Sequence, residues 1–339
     1  MSSEESPWSA LMRQAVNLAM SPDVVTSSNP RVGCVIVDAA GAVVGKGYHR
    51  GTGTPHAEVV ALAEAGERAR GATAVVTLEP CRHTGRTGPC ADALIEAGVA
   101  RVVYAVDDPG GDSGGGADVL RAAGLEVIDG VEGDQARYVA RAWLHSREFG
   151  RPLVTLKTAM SLDGRVADAT GGPTPITGQQ AQCISHEWRA RVDAIVVGIG
   201  TVLTDDPSLT ARDANGAVMS RQPLRVVVGN RAIPDGARIV DGSAETLVFA
   251  GRDLHALMAH LHARDVQHVL VEGGPTLAAA LLEEGLADEV LWFIAPSILG
   301  DGPVALPPLD RTIDVRVRRT RVVGEDVVVE GVIDVHRDR

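Results

Sequence analysis

Short apolar runs alternate with amphipathic stretches through the first half of the chain. The runs are of strand length and are bounded by turn residues. They read VGCVIV (32–37), ATAVVTL, RVVYAV (101–106) and LEVI (125–128). Residues 57–70 and 90–97 have helical spacing, whereas the glycine-rich stretch 108–118 has no periodicity and is predicted to be a loop. A sheet with helices on its faces is therefore expected.

The second half repeats this alternation after a helical stretch that ends near Gly150. The apolar run RPLVTLKTAM begins there, and we place a domain boundary between residues 149 and 150. Helices are expected at residues 179–191 and 253–264, and strands at DAIVVGI, LRVVVG, ETLVFA, VQHVLVEGG and DEVLWFIA. A chain of 339 residues has the length of about two domains. The expected fold is two α/β domains in series, residues 1–149 and 150–339.

The composition of the chain limits which partners it can bind and which cellular compartment it can occupy. Apolar residues make up 45% of the chain and charged residues 22%, and the net charge of -12 opposes binding to nucleic acid, whose phosphates need Lys and Arg. No apolar run reaches the roughly 20 residues that cross a bilayer, and the acidic start MSSEESPWSA is unlike a signal peptide. The four cysteines are too few for a disulfide framework. We expect a cytoplasmic protein without nucleic-acid or membrane partners.

Three side chains with metal-ligand chemistry, those of His56, Cys81 and Cys90, lie near the ends of predicted strands and helices. One imidazole and two thiolates suit Zn²⁺ and leave a fourth position open for water, as in catalytic sites. Zinc would activate the water, and Glu58 is placed to carry protons to a leaving amine. Each residue alone has an ordinary alternative, as a surface histidine or a core thiol. A structural site with His83 as the fourth ligand is another alternative.

The order of these residues resembles that of zinc deaminases. His-x-Glu followed by Pro-Cys and a second Cys is the deaminase signature, but eight residues separate the cysteines here, where cytidine and transfer-RNA adenosine deaminases have two. With NPRVGCVIV, GYHRGTGTPHAEVVAL and TLEPCRHTGRTGPCADALIEAGV, the chain resembles the deaminase half of the bifunctional RibD family of riboflavin biosynthesis. The long gap, the acidic charge and the second domain all disfavour a transfer-RNA deaminase.

The resemblance implies a cytidine-deaminase-like α/β/α domain with a mixed sheet and bound Zn²⁺. It implies a small-molecule substrate, a diamino-hydroxy-pyrimidinone with a phosphoribosylamino group, whose ring amine is released as ammonia. Asn29 and His49 match positions that bind this substrate. His83 and Arg86, between the cysteines, are candidates for contacting its phosphate or for supporting the metal ligands.

The second half resembles the reductase half of the same family, on TLKTAMSLDGRVA, DAIVVGIGTVLTDDPSLTAR and VEGGPTLAAALLEEGLADEV. This implies a dihydrofolate-reductase-like α/β fold that uses NADPH to reduce the ribosyl group to ribityl. The matched cofactor-binding positions are Ala159, Thr201, Asp205, Gly274, Pro275, Thr276, Leu277, Ala278, Ala279 and Ala280. The matched substrate-binding positions are Arg189, Leu209, Arg212 and Glu272. A homo-oligomer formed through this domain is also expected.

Two features of the reductase half require further interpretation. Lys157 lies in an apolar strand, where an unpaired ammonium is costly, so a carboxylate or substrate partner is expected. Asp163, in the same motif, is either functional or a turn residue. Pro173 and Pro175 stand where the family usually has a polar stretch ending in Trp. An alternative is therefore a deaminase with a non-catalytic reductase-like domain.

Overall fold

The computed structural model describes residues 6–21, 24, 29–84 and 88–334. The chain divides into two units, Met1–Gly150 and Arg151–Arg339. Each unit has its own sheet and its own buried apolar residues. In the described part of the chain, no helix combines the length and the apolar character needed to cross a membrane.

Among the described residues, five strands form the sheet of the first unit. They are β1 (Gly33–Val37), β2 (Val43–Tyr48), β3 (Thr73–Val76), β4 (Arg101–Tyr104) and β5 (Glu126–Ile128). In the order β2-β1-β3-β4-β5, β1 is antiparallel to both neighbours, whereas β3, β4 and β5 are parallel. All residues of β1 are buried, because helices pack against this strand and a strand covered on both faces is apolar throughout.

The helices of the first unit determine where its functional residues lie. They are α1 (Ser9–Ala19), α2 (Ala57–Ala65), α3 (Cys90–Glu96), α4 (Gly116–Ala122) and α5 (Gly133–Phe149). A Cβ at Gly47 in β2 would lie 2.1 Å from the carbonyl oxygen of Ala57, so only glycine lets the start of α2 approach the sheet this closely. The helix predicted over 57–70 ends sooner, because Gly66 has a φ of 55° and a 3-10 turn, Gly66–Ala69, follows.

In residues 151–334, eight strands form the sheet of the second unit. They are β6 (Leu153–Ser161), β7 (Ala194–Gly198), β8 (Leu224–Val228), β9 (Thr246–Phe249), β10 (His268–Glu272), β11 (Glu289–Ala295), β12 (Val315–Val323) and β13 (Asp326–Ile333). Their order is β12-β13-β11-β6-β10-β7-β8-β9. Strands β11, β6, β10, β7, β8 and β9 are parallel, and the β12–β13 hairpin adds antiparallel strands at one edge.

Helices cover both faces of this second sheet. They are α6 (Gln179–Arg191), α7 (Ile199–Asp205), α8 (Leu254–His262) and α9 (Pro275–Glu283). Alternate residues of β7 point to opposite faces. Ala194 and Val196 pack with α8 and α9, whereas Ile195 and Val197 pack with α6 and α7. The predicted strands and helices of this unit are confirmed, and the mixed α/β expectation holds for both units.

The sequence prediction was wrong about the end of the glycine-rich loop. Helix α4 begins at Gly116, inside the stretch 108–118 that was predicted to be a loop throughout. Gly115 precedes it with a φ of 87°. Glycine lowers helix propensity without excluding a helix, and here backbone contacts described below outweigh that preference.

Candidate active sites

Three elements bring the proposed metal ligands together. His56 is the residue before α2, Cys81 follows Pro80 after β3, and Cys90 is the first residue of α3. The Nδ1 atom of His56 lies 3.1 Å from Sγ of Cys90 and 3.6 Å from Sγ of Cys81. The three ligand atoms all lie within 4.8 Å of one another, and no other His, Cys, Asp or Glu joins this cluster in the described ranges. His83 is exposed and stays outside it.

The chemistry of this cluster fits Zn²⁺. Hydrogen bonds from Cys90 and His56, against the opposing effect of burial, lower the pKa of Cys81 to about 4, so a thiolate is present at neutral pH. Nitrogen and thiolate donors are the ligands that Zn²⁺ prefers, and three protein ligands leave one tetrahedral position for water or substrate. The geometry therefore fits an open, catalytic site better than a closed, structural one.

Glu58 lies beside this cluster in the first turn of α2 and is 4% exposed. Burial raises the pKa of Glu58 to about 7, and the positive charge of His56 offsets only part of this effect. A carboxyl whose pKa is near neutrality can both accept and donate a proton, which is what a proton carrier requires. Glu58 is not one of the three residues of the candidate metal cluster.

A cavity of about 560 Å³ opens onto the cluster. Of the predicted residues, it is lined by Asn29, His49, His56, Glu58, Cys81 and His83. Nδ1 of His49 lies 3.1 Å from the carbonyl oxygen of Pro55, which can only accept, so Nδ1 carries a hydrogen. Nε2 then accepts from Nδ2 of Asn29 at 3.0 Å. Burial lowers the pKa of His49, so its imidazole is neutral. Arg86 lies outside the described residues.

The same cavity is lined by residues that the sequence reasoning missed. The glycine-rich loop contributes Asp108, Gly110, Gly111, Asp112 and Ser113. Trp143 and Arg147 of α5 also line it, with the guanidinium carbon of Arg147 5.5 Å from the Trp143 ring centroid. The cluster of glycines among carboxylates was a usable signal for the loop. The helical periodicity gave no such signal for Trp143, because the pattern predicts an ordinary core residue at this position.

The second unit has its own cavity, of about 660 Å³, at the carboxyl ends of β7 and β10. Ligands of parallel α/β sheets bind at this edge of the sheet. Predicted residues that line it are Ala159, Arg189, Thr201, Asp205, Leu209, Glu272, Gly274, Pro275, Thr276 and Ala278. Leu277 and Ala280 pack against the apolar core, Ala279 is buried outside the cavity lining, and Arg212 donates to the carbonyl oxygen of Gly216 at 2.9 Å. The structure does not bring these four residues to the cavity.

The start of α9 offers a phosphate-binding geometry. Gly273 and Gly274 have φ values of 106° and 76°, which lets the chain turn sharply from β10 into the helix. Pro275 occupies the first turn, where its missing N–H costs nothing. The free N–H groups of a helix N-terminus bind anions, and Gly274, Pro275 and Thr276 lie on the cavity wall.

Three charged side chains form a buried network in this cavity. Arg189 donates to Glu272 from Nε at 2.6 Å and from Nη2 at 2.8 Å, and Nζ of Lys157 lies 3.5 Å from the same carboxylate. Burial alone would raise the pKa of Glu272, but the charges of Arg189 and Lys157 lower it to about 2. The carboxylate partner expected for Lys157 is thus confirmed as Glu272.

Asp163 and the two prolines are also placed by the structure. The carboxylate of Asp163 accepts hydrogen bonds from Leu299 N at 3.0 Å and Gly300 N at 2.8 Å, so it ties two loops together. Pro173 and Pro175 line the cavity of the second unit. The stretch that departs from the family pattern therefore lies at the cavity.

These two sites define a class: a zinc-dependent nucleobase deaminase and a reductase within one chain. The model of the cytidine and deoxycytidylate deaminase zinc-binding region matches residues 6–106, and the RibD C-terminal domain model matches residues 152–329. The fold-class prediction is thereby confirmed.

Similar proteins identify the family. The chain is 51% identical to the riboflavin biosynthesis protein RibD of Mycobacterium tuberculosis, over 82% of each chain. The Acinetobacter baumannii RibD structure is 36% identical, with a TM-score of 0.87, and the match covers 96% of this chain and 98% of that one. A Thermotoga maritima structure, a diaminohydroxyphosphoribosylaminopyrimidine deaminase/5-amino-6-(5-phosphoribosylamino)uracil reductase, is 32% identical with the same coverage and TM-score.

The chain therefore belongs to the RibD family of riboflavin biosynthesis proteins. It is a bifunctional enzyme with deaminase and reductase activities, and its cofactors are Zn²⁺ and NADPH. The two-activity interpretation is confirmed over the alternative of a deaminase with a non-catalytic second domain.

Proposed function

We propose that residues 1–149 deaminate the phosphoribosylamino-substituted diamino-pyrimidinone and that residues 150–339 reduce the ribosyl group of the product. The name of the Thermotoga maritima relative, which describes both reactions, supports this substrate. The two separate cavities, one in each unit, support the division of labour.

In the deaminase cavity, His56, Cys81 and Cys90 would hold Zn²⁺, which supplies Lewis-acid activation of water when bound. Glu58 takes the proton from the attacking water and delivers one to the departing ring amine. The Asn29 amide and the neutral His49 ring, fixed by their mutual hydrogen bond, orient the pyrimidine. Glu58 is 4% exposed, so its carboxyl has little contact with bulk water.

In the reductase cavity, NADPH supplies a hydride when bound. Residues Gly274 to Thr276, at the start of α9, hold a phosphate of the cofactor, with Ala159, Thr201 and Asp205 on the same wall. Glu272, Arg189 and Lys157 form a fixed polar floor for the ribose chain, and Leu209 adds apolar contact. Leu277, Ala279, Ala280 and Arg212 lie outside the cavity lining and would reach the ligand only after a rearrangement.

The observation that carries the deaminase assignment is the His56–Cys81–Cys90 cluster beside the buried carboxyl of Glu58. The test is to incubate the purified chain with the diamino-pyrimidinone substrate, with and without NADPH, and to identify products by mass. Ammonia release without NADPH is expected. A product heavier by two hydrogens is expected only with NADPH. Failure of wild-type protein to release ammonia would refute the substrate assignment.

We further propose that the enzyme is a cytoplasmic homo-oligomer that associates through residues 150–339. Free thiols at Cys34, Cys81, Cys90 and Cys183 support a reducing compartment. Exposed apolar side chains of the second unit, including Leu162, Ile298 and Val322, support association there. Light scattering of the whole chain tests this proposal, and a monomer at micromolar concentration would contradict it.

A further inference from the structure

The glycine loop, defined here as residues 108–115, forms part of the wall of the deaminase cavity. Within the loop, Oδ1 of Asp108 accepts from Gly110 N at 2.8 Å and Ser113 Oγ at 3.0 Å. A segment so rich in glycine loses much conformational entropy when it is fixed. To keep one conformation, the loop therefore needs contacts with residues outside it that act as anchors.

Glu79 provides such an anchor. Its Oε2 accepts from Asp108 N at 3.1 Å, at the start of the loop. Its Oε1 accepts from Gly115 N at 3.1 Å, at the end of the loop, and from Ala117 N at 2.9 Å, in the first turn of α4. Glu79 is 7% exposed, so these three amides have no ready substitute in water. One carboxylate thus closes both ends of the loop.

The segment from Glu79 to Arg82 also contacts the loop through the backbone and side chain of Arg82. The Arg82 amide donates to Ser113 O at 3.0 Å, and Nη2 of Arg82 donates to Gly111 O at 3.0 Å. A Cβ at Gly116 would lie 1.8 Å from Pro80 O, so the loop end packs directly on this segment. Cys81 belongs to the same segment, which places the loop at a fixed distance from a metal ligand.

We propose that Glu79 is a positioning residue for deamination, which fixes the glycine loop as a wall of the substrate cavity relative to Cys81. The inference rests on the proposed assignment of this cavity to the deaminase. Glu79 also lines the cavity, but both of its carboxylate oxygens accept hydrogen bonds from backbone amides, so it acts through the loop and not on the reacting atoms. Its loss therefore weakens substrate binding more than it slows the chemical step.

The test is Glu79→Gln in the full-length, zinc-loaded enzyme. A glutamine keeps one oxygen that can accept a hydrogen bond, but its NH₂ group replaces the other. That NH₂ group cannot accept from the backbone N–H that the wild-type carboxylate binds, so one end of the loop is released. We expect KM for ammonia release to rise roughly tenfold, with little change in kcat, zinc content or reductase rate. Hydrogen exchange at the Asp108 amide should accelerate.

Asp38→Asn is the matched control, since Oδ1 of Asp38 also accepts two backbone amides, Ala40 N and Ala42 N, in an exposed turn that does not line the cavity. It should leave KM unchanged. Gly116→Ala is a second variant that displaces the same loop end without altering Glu79, and it should raise KM likewise.

An unchanged KM in both loop variants would overturn the inference. Loss of zinc from both would also overturn it, because that outcome makes Glu79 part of the metal site rather than an anchor for the loop. Wild-type protein that releases no ammonia from this substrate would instead refute the proposed function itself.

Discussion

Glu58 in the first unit and Glu272 in the second are both buried at a cavity, yet the pKa values of their carboxyls are shifted in opposite directions. Burial raises the pKa of Glu58 to about 7. Glu272 is buried just as deeply, but Arg189 and Lys157 lower its pKa to about 2. The difference shows that charged partners, and not burial alone, decide which carboxyl can exchange protons near neutral pH. Glu58 is suited to proton transfer, whereas Glu272 is a permanent anion suited to holding cationic side chains in place.

The largest expected effect comes from removing the metal. Treating the enzyme with a chelator should abolish ammonia release, because the three ligands of the cluster would then hold nothing that activates water. NADPH oxidation with the deaminated substrate should continue, since the reductase cavity contains none of these ligands. Metal analysis beside both rates checks this, and loss of both activities would contradict the separation of the two sites.

Replacing Glu58 tests the first half of the comparison. Glu58→Gln should reduce deaminase kcat by about 10²–10⁴-fold, because the amide cannot carry a proton. Zinc content and reductase rate should stay at wild-type values. Glu67→Gln, an exposed carboxylate in the turn after α2, is the matched control. A variant that keeps full deaminase activity would remove Glu58 from the mechanism.

Replacing Glu272 tests the second half. Glu272→Gln leaves Arg189 and Lys157 without their anion at a buried position, which should cost about 3–5 kcal/mol of stability in the second unit. Lys157→Met removes only the longer contact, at 3.5 Å, and should cost less. Thermal unfolding, monitored by the loss of reductase activity, measures the stability of both variants. If the Glu272 variant is as stable as the wild type, the network makes no net contribution to the free energy of unfolding.

The pH dependence of stability should differ in sign between the two glutamates. The lowered pKa of Glu272 stabilises the fold above the unfolded value near 4.3, and this contribution is lost as the pH falls toward about 2. In metal-free protein the raised pKa of Glu58 acts oppositely, because stability is lost as the pH rises from the unfolded value toward about 7.

This opposite slope can be measured without kinetics. In metal-free protein, Glu58→Gln should raise the stability of the first unit by up to about 3 kcal/mol at pH 8, with no gain at pH 4. Melting temperatures of the variant and the wild type across this range give the difference. A gain that is independent of pH would mean that the carboxyl of Glu58 is not neutral in the folded, metal-free chain.

The sequence by itself determined most strands and helices, although not α1, β2, α4 or α7. It also gave the candidate zinc ligands, Glu58 and the need for a partner of Lys157. These follow from local periodicity, from donor chemistry at short spacing, and from the cost of an unpaired buried charge. The start of α4 was not predictable, since glycine-rich sequence disfavours a helix and only the contacts of the loop end with Pro80 and Glu79 reveal why one forms.

Only the tertiary structure decided which residues share a cavity. Trp143 and Arg147 lie more than 50 positions beyond Cys90, yet α5 brings them to the deaminase cavity. In the family-matched run at α9, the first three residues and Ala278 reach the reductase cavity, and Leu277, Ala279 and Ala280 do not, because successive helical residues point in different directions. The tertiary structure also decided which carboxylate pairs with Lys157. Glu272 lies beside it because β10 and β6 are adjacent parallel strands in register.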